Sequence, residues 1–191
     1  MSKELQSLVV GQFGADVIET HAQHGDETVV VRPSAWYAIH AFLRNDARAR
    51  CSMLSDLTAV DYPEREPRFE VVSHVYSLEL GHRLRLKTRV GDLEGNSADV
   101  DSLTSLWASA NWLEREAYDM FGIRFVGHPD LRRILLYPEF EGHPLRKDYP
   151  ADRIQPLIPF RDVPGIEKVP PFGPHEGMSF SRRSGPPAQE D

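Results

Sequence analysis

Up to Gly122 the apolar positions follow two clear periods. Leu5, Leu8 and Val9 recur at helical spacing from about Lys3, with Gly11 as the stop. Val17-Ile18 and Thr28 to Val31 read as short strands, joined by a polar turn holding Gly25 and Asp26. Pro33-Ser34 opens a helix in which Trp36, Ile39, His40, Leu43 and Ala47 fall three or four residues apart. Arg44, Arg48 and Arg50 gather at its C-terminal end, where the helix dipole favours cations. Met53 to Val60 reads as a strand ending at Asp61-Tyr62-Pro63, followed by a turn running to Arg68. Phe69 to Leu80 is strand-rich, and Gly81-His82 predicts a tight link to a return strand.

That return strand carries the cleanest alternation in the chain. His82, Leu84, Leu86, Thr88 and Val90 interleave with Arg83, Arg85, Lys87 and Arg89. The basic stripe reads as a solvated sheet face or a charge-guarded edge strand. A docking face for an acidic protein is the second reading. Nucleic acid ranks third, because no aromatic residues interleave the charges as a stacking platform requires.

Beyond a turn over residues 91–99, a helical stretch is expected from Asp101 or Ser102. Asn111 with Glu114 fits a capping box restarting the helix, and Leu113, Ala117, Met120 and Phe121 form its apolar stripe up to Gly122. The expectation is an α+β domain over residues 1–122, an antiparallel or mixed sheet with helices on one face.

From Gly127 no apolar period survives, and twelve of the 15 prolines lie beyond that point. Proline at this density removes backbone donors and blocks helix and inner strand alike. Residues 123–191 therefore read as an extended arm, either disordered or ordered only on a partner.

Composition narrows the function classes. The net charge of −7 argues against nucleic acid as the main partner and gives no general attraction to anionic lipid. Cys51 is the lone cysteine, so the chain forms no internal disulfide and cannot by itself supply the thiolates of an iron–sulfur cluster. The N-terminus lacks a signal-peptide pattern, and no apolar run reaches the length of a membrane span. A cytoplasmic, soluble protein is expected.

The informative run is Glu114 to Pro150. It mixes charge with Phe121, Phe125, Leu131, Ile134, Leu135, Leu136, Tyr137, Phe140 and Tyr149, a density that marks a partner-binding surface when the segment has no core of its own. Three motifs stand in it: EREAYDMFGI from Glu114, GHPDLRRIL from Gly127 and GHPLRKDYP from Gly142. Together they resemble the characteristic pattern of the 30 kDa subunit family of respiratory complex I, the proton-pumping NADH:quinone oxidoreductase. One departure is Phe140, where the pattern leads one to expect Trp. The resemblance implies a non-catalytic subunit of the peripheral arm, on the cytoplasmic side of a bacterial plasma membrane. It would pack against the subunit homologous to the hydrogenase large subunit, which forms the quinone cavity together with the subunit carrying the terminal iron–sulfur cluster. FMN, iron–sulfur clusters and quinone would all be held by other chains. Carried over by position, the partner-binding residues are Glu114, Arg115, Glu116, Asp119, Phe121, Gly122, His128, Pro129, Arg132, Arg133, Phe140, Gly142, His143, Pro144, Arg146, Lys147, Asp148 and Tyr149.

Sharper chemistry finds less support. His128 and His143, near Asp130, Glu141 and Asp148, could be ligands of a metal-dependent hydrolase, but the helix-borne HExxH arrangement is absent. Turn histidines that hydrogen-bond across an interface are the simpler reading, and His21 and His24 read as surface loop. Glu114 and Glu116 are two apart on a helix and do not face each other, so an acid/base pair is unsupported. Arg115 and Asp119 are expected to pair along the helix, while Arg132, Arg133, Arg146 and Lys147 meet acidic partner groups. The glycines lack phosphate-loop spacing. The nearest alternative is the equivalent subunit of a membrane-bound hydrogenase or a related complex with another electron donor.

Overall fold

The computed structural model describes residues 2–156. Helix α1 (Ser2–Phe13) runs through Gly11, and its Leu5 and Val9 reach the core. A hairpin of β1 (Val17–His21) and β2 (Thr28–Val31) follows. A short 3-10 turn at Pro33–Ala35 leads into α2 (Trp36–Asn45), so Arg48 and Arg50 lie beyond that helix. Strands β3 (Met53–Asp61), β4 (Phe69–Tyr76) and β5 (Arg83–Val90) form an antiparallel meander.

The sheet order is β1-β2-β5-β4-β3, with β2 and β5 parallel. A mixed sheet follows because β2 leaves through α2 to the far edge, and the meander then returns β5 to its side. The apolar positions of β2, β4 and β5, among them Val29, Val31, Val71, Val75, Leu84 and Leu86, share a core with Trp36, Ile39 and Leu43 of α2. The α+β class with helices on one face is what the periodicities anticipated.

His40 is fully buried in this core, with one ring nitrogen 2.7 Å from the Trp36 carbonyl and the other 2.7 Å from Ser73 Oγ. Burial pulls its pKa down to about 4, so it stays neutral.

Three expectations need correction here. First, β5 is an inner strand, not a guarded edge. Its stripe is answered by the chain's own carboxylates: Arg83 and Arg85 pair with Asp26 at 2.6 and 3.1 Å, Lys87 and Arg89 with Glu70 at 2.6 and 3.2 Å. His82 precedes the strand and is buried, bonding the Ala49 carbonyl, because the β4–β5 connection is a six-residue loop over 77–82.

Second, no helix starts at Asp101. Strand β6 (Asp99–Asp101) comes first, and α3 spans Ala110–Phe121 after irregular turns. Asn111 lies inside the helix, and the capping box is not formed, because the Glu114 carboxylate turns instead to Ser102 and the Leu103 N–H.

Third, the folded unit does not end at Gly122; it extends to Pro156. Strand β7 (Arg124–Val126) pairs in parallel with β6, and Ile123 and Phe125 are buried in the core. The apolar side chains just past the helix have a place in the same core, which a boundary drawn at the helix stop overlooks. The remainder of the expected arm, residues 157–191, lies outside the described residues.

Candidate functional site

After β7 the chain forms no further helix or strand among the described residues, yet residues 127–156 lie on the body as a strap. Leu131 and Leu136 pack against the core. Residues 127–156 of the expected arm therefore have a seat on the body, where a ribbon without a core was expected. What holds it is a set of polar fastenings built from the motif residues.

The first fastening is Asp119 of α3, which is completely buried. One carboxylate oxygen accepts the backbone N–H groups of Ile134, Leu135 and Leu136 at 2.9–3.0 Å. The other pairs with Arg133 Nη1 at 2.7 Å. Burial alone would raise its pKa, but those N–H donors and the guanidinium outweigh it and hold the carboxyl below the usual range. Arg133 also donates to the Gly142 carbonyl at 3.0 Å. The helical Arg115–Asp119 pair is not formed. Arg115 instead donates to the carbonyls of Arg132 and Arg133 at 3.1 and 3.2 Å, since Arg133 already occupies Asp119.

The second fastening is Gly122, which ends α3 in the left-handed conformation at φ +77°. A Cβ there would lie 2.6 Å from both His143 Nε2 and Arg146 Nη2. Only glycine satisfies the helix stop and lets the returning strap pass this close. His143 Nδ1 donates to the Asp119 carbonyl at 2.9 Å, and burial lowers the pKa of its ring. Arg146 donates to the carbonyls of Phe121 and Gly95 at 2.6 and 3.1 Å and lies over the Phe69 ring.

The third fastening centres on Arg68, which is 2% exposed. It forms a two-pronged pair with Asp61 at 2.7 and 2.8 Å and reaches Asp148 of the strap at 2.9 Å. Asp61 also accepts the Lys147 N–H at 2.7 Å. The hydrogen bonds that Arg68 donates to Asp61 and Asp148 raise its pKa above the ordinary value. The sequence shows Arg68 only as the end of a turn; an arginine placed immediately before the apolar start of a strand is the one available hint, and a faint one.

Aromatic packing completes the strap. Phe140 stacks on Tyr149 with ring centroids 6.2 Å apart and meets Tyr137 edge-on at 5.6 Å. A Cβ at Gly142 would lie 2.9 Å from the Tyr149 ring, so this glycine admits the ring.

The eighteen residues singled out in the sequence thus divide by burial. Glu114, Arg115, Asp119 and Phe121 are buried, and the polar three bond within the chain. Gly122, His128, Arg133, Phe140, Gly142, His143, Pro144, Arg146 and Tyr149 are half-buried, most of them as fasteners. Glu116, Pro129, Arg132, Lys147 and Asp148 are exposed. Exposed apolar side chains on α3 and the strap include Trp112, Leu135, Tyr137 and Leu145.

Glu114 stands apart because no cation among the described residues meets it. It is wholly buried and accepts from Ser102 Oγ and the Leu103 N–H, both at 2.6 Å. Burial dominates these two bonds and pushes its pKa up to about 7.

The histidines give no metal geometry. His128 Nδ1 accepts the Asp130 N–H at 3.0 Å, so Nε2 carries the proton toward the Asn111 carbonyl at 3.2 Å. Asp130 pairs with Arg132, and Asp148 with Arg68. Among the described residues no three His, Cys, Asp or Glu side chains gather as a metal site. No helix among them is long and apolar enough to cross a membrane.

Comparison with known proteins places this architecture. Residues 29–155 match the family described as respiratory-chain NADH dehydrogenase, 30 Kd subunit. An NADH-quinone oxidoreductase subunit of Rhodobacter capsulatus is 46% identical over 154 residues, covering 79% of this chain and 75% of the relative. The equivalent from Cereibacter sphaeroides is 42% identical, covering 94% and 95%. Among solved structures, a trypsin-resistant fragment (1-134) of Nqo5 is 30% identical with a TM-score of 0.56, covering 69% of this chain and all of that one. A chain of an archaeal membrane-bound sulfane sulfur reductase, a respiratory membrane complex, is 26% identical with a TM-score of 0.62, covering 78% and 85%. The strap motifs and the sheet that seats them are those of one family: the chain belongs to the 30 kDa subunit family of the respiratory-chain NADH dehydrogenase, complex I.

Proposed function

We propose that this chain is a non-catalytic structural subunit of the quinone-reducing peripheral arm of an NADH:quinone oxidoreductase. It docks through the outer side of its strap on the subunit homologous to the hydrogenase large subunit, beside the quinone site and on the cytoplasmic side of the membrane. One observation carries this reading: the most distinctive motif residues are consumed in seating a strap that carries exposed apolar side chains. Leu135 of the strap and Trp112 of the adjoining α3 are each 62% exposed, at a density that suits a protein interface. Flavin, clusters and quinone belong to neighbouring chains in this reading. Cys51 supports it, since that thiol is buried and its pKa is pushed up to about 12, far from a thiolate ligand.

A second reading has a specific observation behind it. The likeness to the sulfane sulfur reductase chain allows a related complex fed by another electron donor. The higher identity to NADH-quinone oxidoreductase subunits favours the first. Affinity purification of the tagged chain from its native membrane in mild detergent tests both. The hydrogenase-type subunit and NADH-driven quinone reduction are expected to co-purify. A chain that elutes alone overturns the proposal, and an assembly without NADH activity selects the second reading.

A further inference from the structure

Between α3 and the strap lies a groove of about 390 Å³, lined by Arg115, Tyr118, Leu131, Arg132, Arg133, Leu136 and Pro138. Its chemistry is three guanidinium groups set among apolar walls. Their partners within the chain differ. Arg133 is neutralised by Asp119, and Arg132 is paired on the surface with Asp130. Arg115 is not neutralised: it is 9% exposed, donates only to two carbonyls, and has no carboxylate within ion-pair distance among the described residues. Its remaining nitrogen, Nη1, has no hydrogen-bond partner among them either. The Trp112 ring beneath it, 5.4 Å from the guanidinium carbon, contributes only a weak cation–π attraction.

A charge buried over most of its side chain is ordinarily matched by an opposite one, and here the one unbonded nitrogen is left to solvent. Carbonyl oxygens satisfy hydrogen bonds and leave the net charge in place. Arg115 and Arg132 both line the groove. Its walls of Leu131, Leu136 and Pro138 suit the apolar neighbours of such a residue in an extended segment.

We infer that this groove receives an acidic segment of the neighbouring subunit, with one Asp or Glu side chain set between Arg115 and Arg132 and apolar residues on either side. The inference rests on the proposed docking role and locates its charged anchor. The pair would be largely desolvated in the complex, so it fixes the register of docking and slows dissociation.

The test uses the assembled complex purified from membranes. A photoreactive benzophenone amino acid replaces Pro138 at the groove rim, and Arg132→Glu is made in the same background. The expected result is a cross-link to a neighbouring subunit within a few residues of an Asp or Glu. Arg132→Glu should lower its yield at least tenfold, and Arg132→Lys should restore most of it. The groove assignment is overturned by a cross-link to a segment without a carboxylate, by one to residues 157–191 of the same chain, or by indifference to Arg132→Glu. Normal assembly with no cross-link also overturns it while leaving the docking role intact, whereas a solitary chain removes both.

Discussion

The body and the strap of this protein are held by different physics. In the body, apolar side chains on alternating strand positions and helical stripes bury one another, and polar groups pair in backbone ladders. The strap has no ladder. It is fastened at buried Asp119, at the returning turn beside Gly122 and at buried Arg68, mostly by charged side chains bonding to backbone groups. A core made by burial tolerates substitutions of similar shape, whereas a fastening built on a desolvated charge does not. This difference explains why an irregular segment carries the most specific sequence of the chain: each letter meets a particular donor or acceptor.

The contrast can be broken at its strongest point. Asp119→Ala strips a carboxylate from three N–H groups and from Arg133, with an expected cost of ~3–5 kcal/mol. Hydrogen exchange should show lost protection at Leu135 and Leu136, with β4 and β5 unchanged. Equal loss in β4 would mean that strap and body unfold as one unit. Arg68→Gln should act in the same direction at the strap's far end, at roughly 3 kcal/mol, because Asp61 is left buried without its cation.

Glu114 sharpens the comparison within the body. Its folded pKa of about 7 lies above the ordinary 4.5, so the charged form is the one the fold disfavours. Its contribution to stability is therefore complete below about pH 4.5 and is lost as pH rises through about 7, by up to ~3 kcal/mol. Urea unfolding at pH 5.5 and 8 should show this fall, and Glu114→Gln should abolish that share of it. The lowered carboxyls Asp119, Asp61 and Asp148 act oppositely, losing their contribution only as pH drops below the usual carboxylate range. The smallest effect is expected on the β5 stripe. Arg83→Ala removes a solvent-exposed pair and should shift the thermal midpoint by less than about 2 °C.

Legibility followed the same divide. The helix stop at Gly122, the alternation of β5 and the α+β class were readable because each depends on residues a few positions apart. The basic stripe was visible, but the partners that neutralise it, Asp26 and Glu70, come from other elements, so an inner strand looked like an edge. The motif in Glu114 to Pro150 was readable as a signature of family. Its physical role was not, because Arg68, Asp61 and Gly95 meet it from 50 or more residues away.

By itself, the order of residues determined most of the local elements, the single thiol and the family to which the chain belongs. Tertiary structure alone decided that Arg115, Arg133 and Arg146 turn back onto their own chain, and that among the described residues Glu114 meets no cation and Arg115 no carboxylate beside its groove. The physical reason is range. Backbone geometry and hydrophobic period act over one or two turns, while the cost of a buried charge depends on whatever the whole fold brings within a few ångströms.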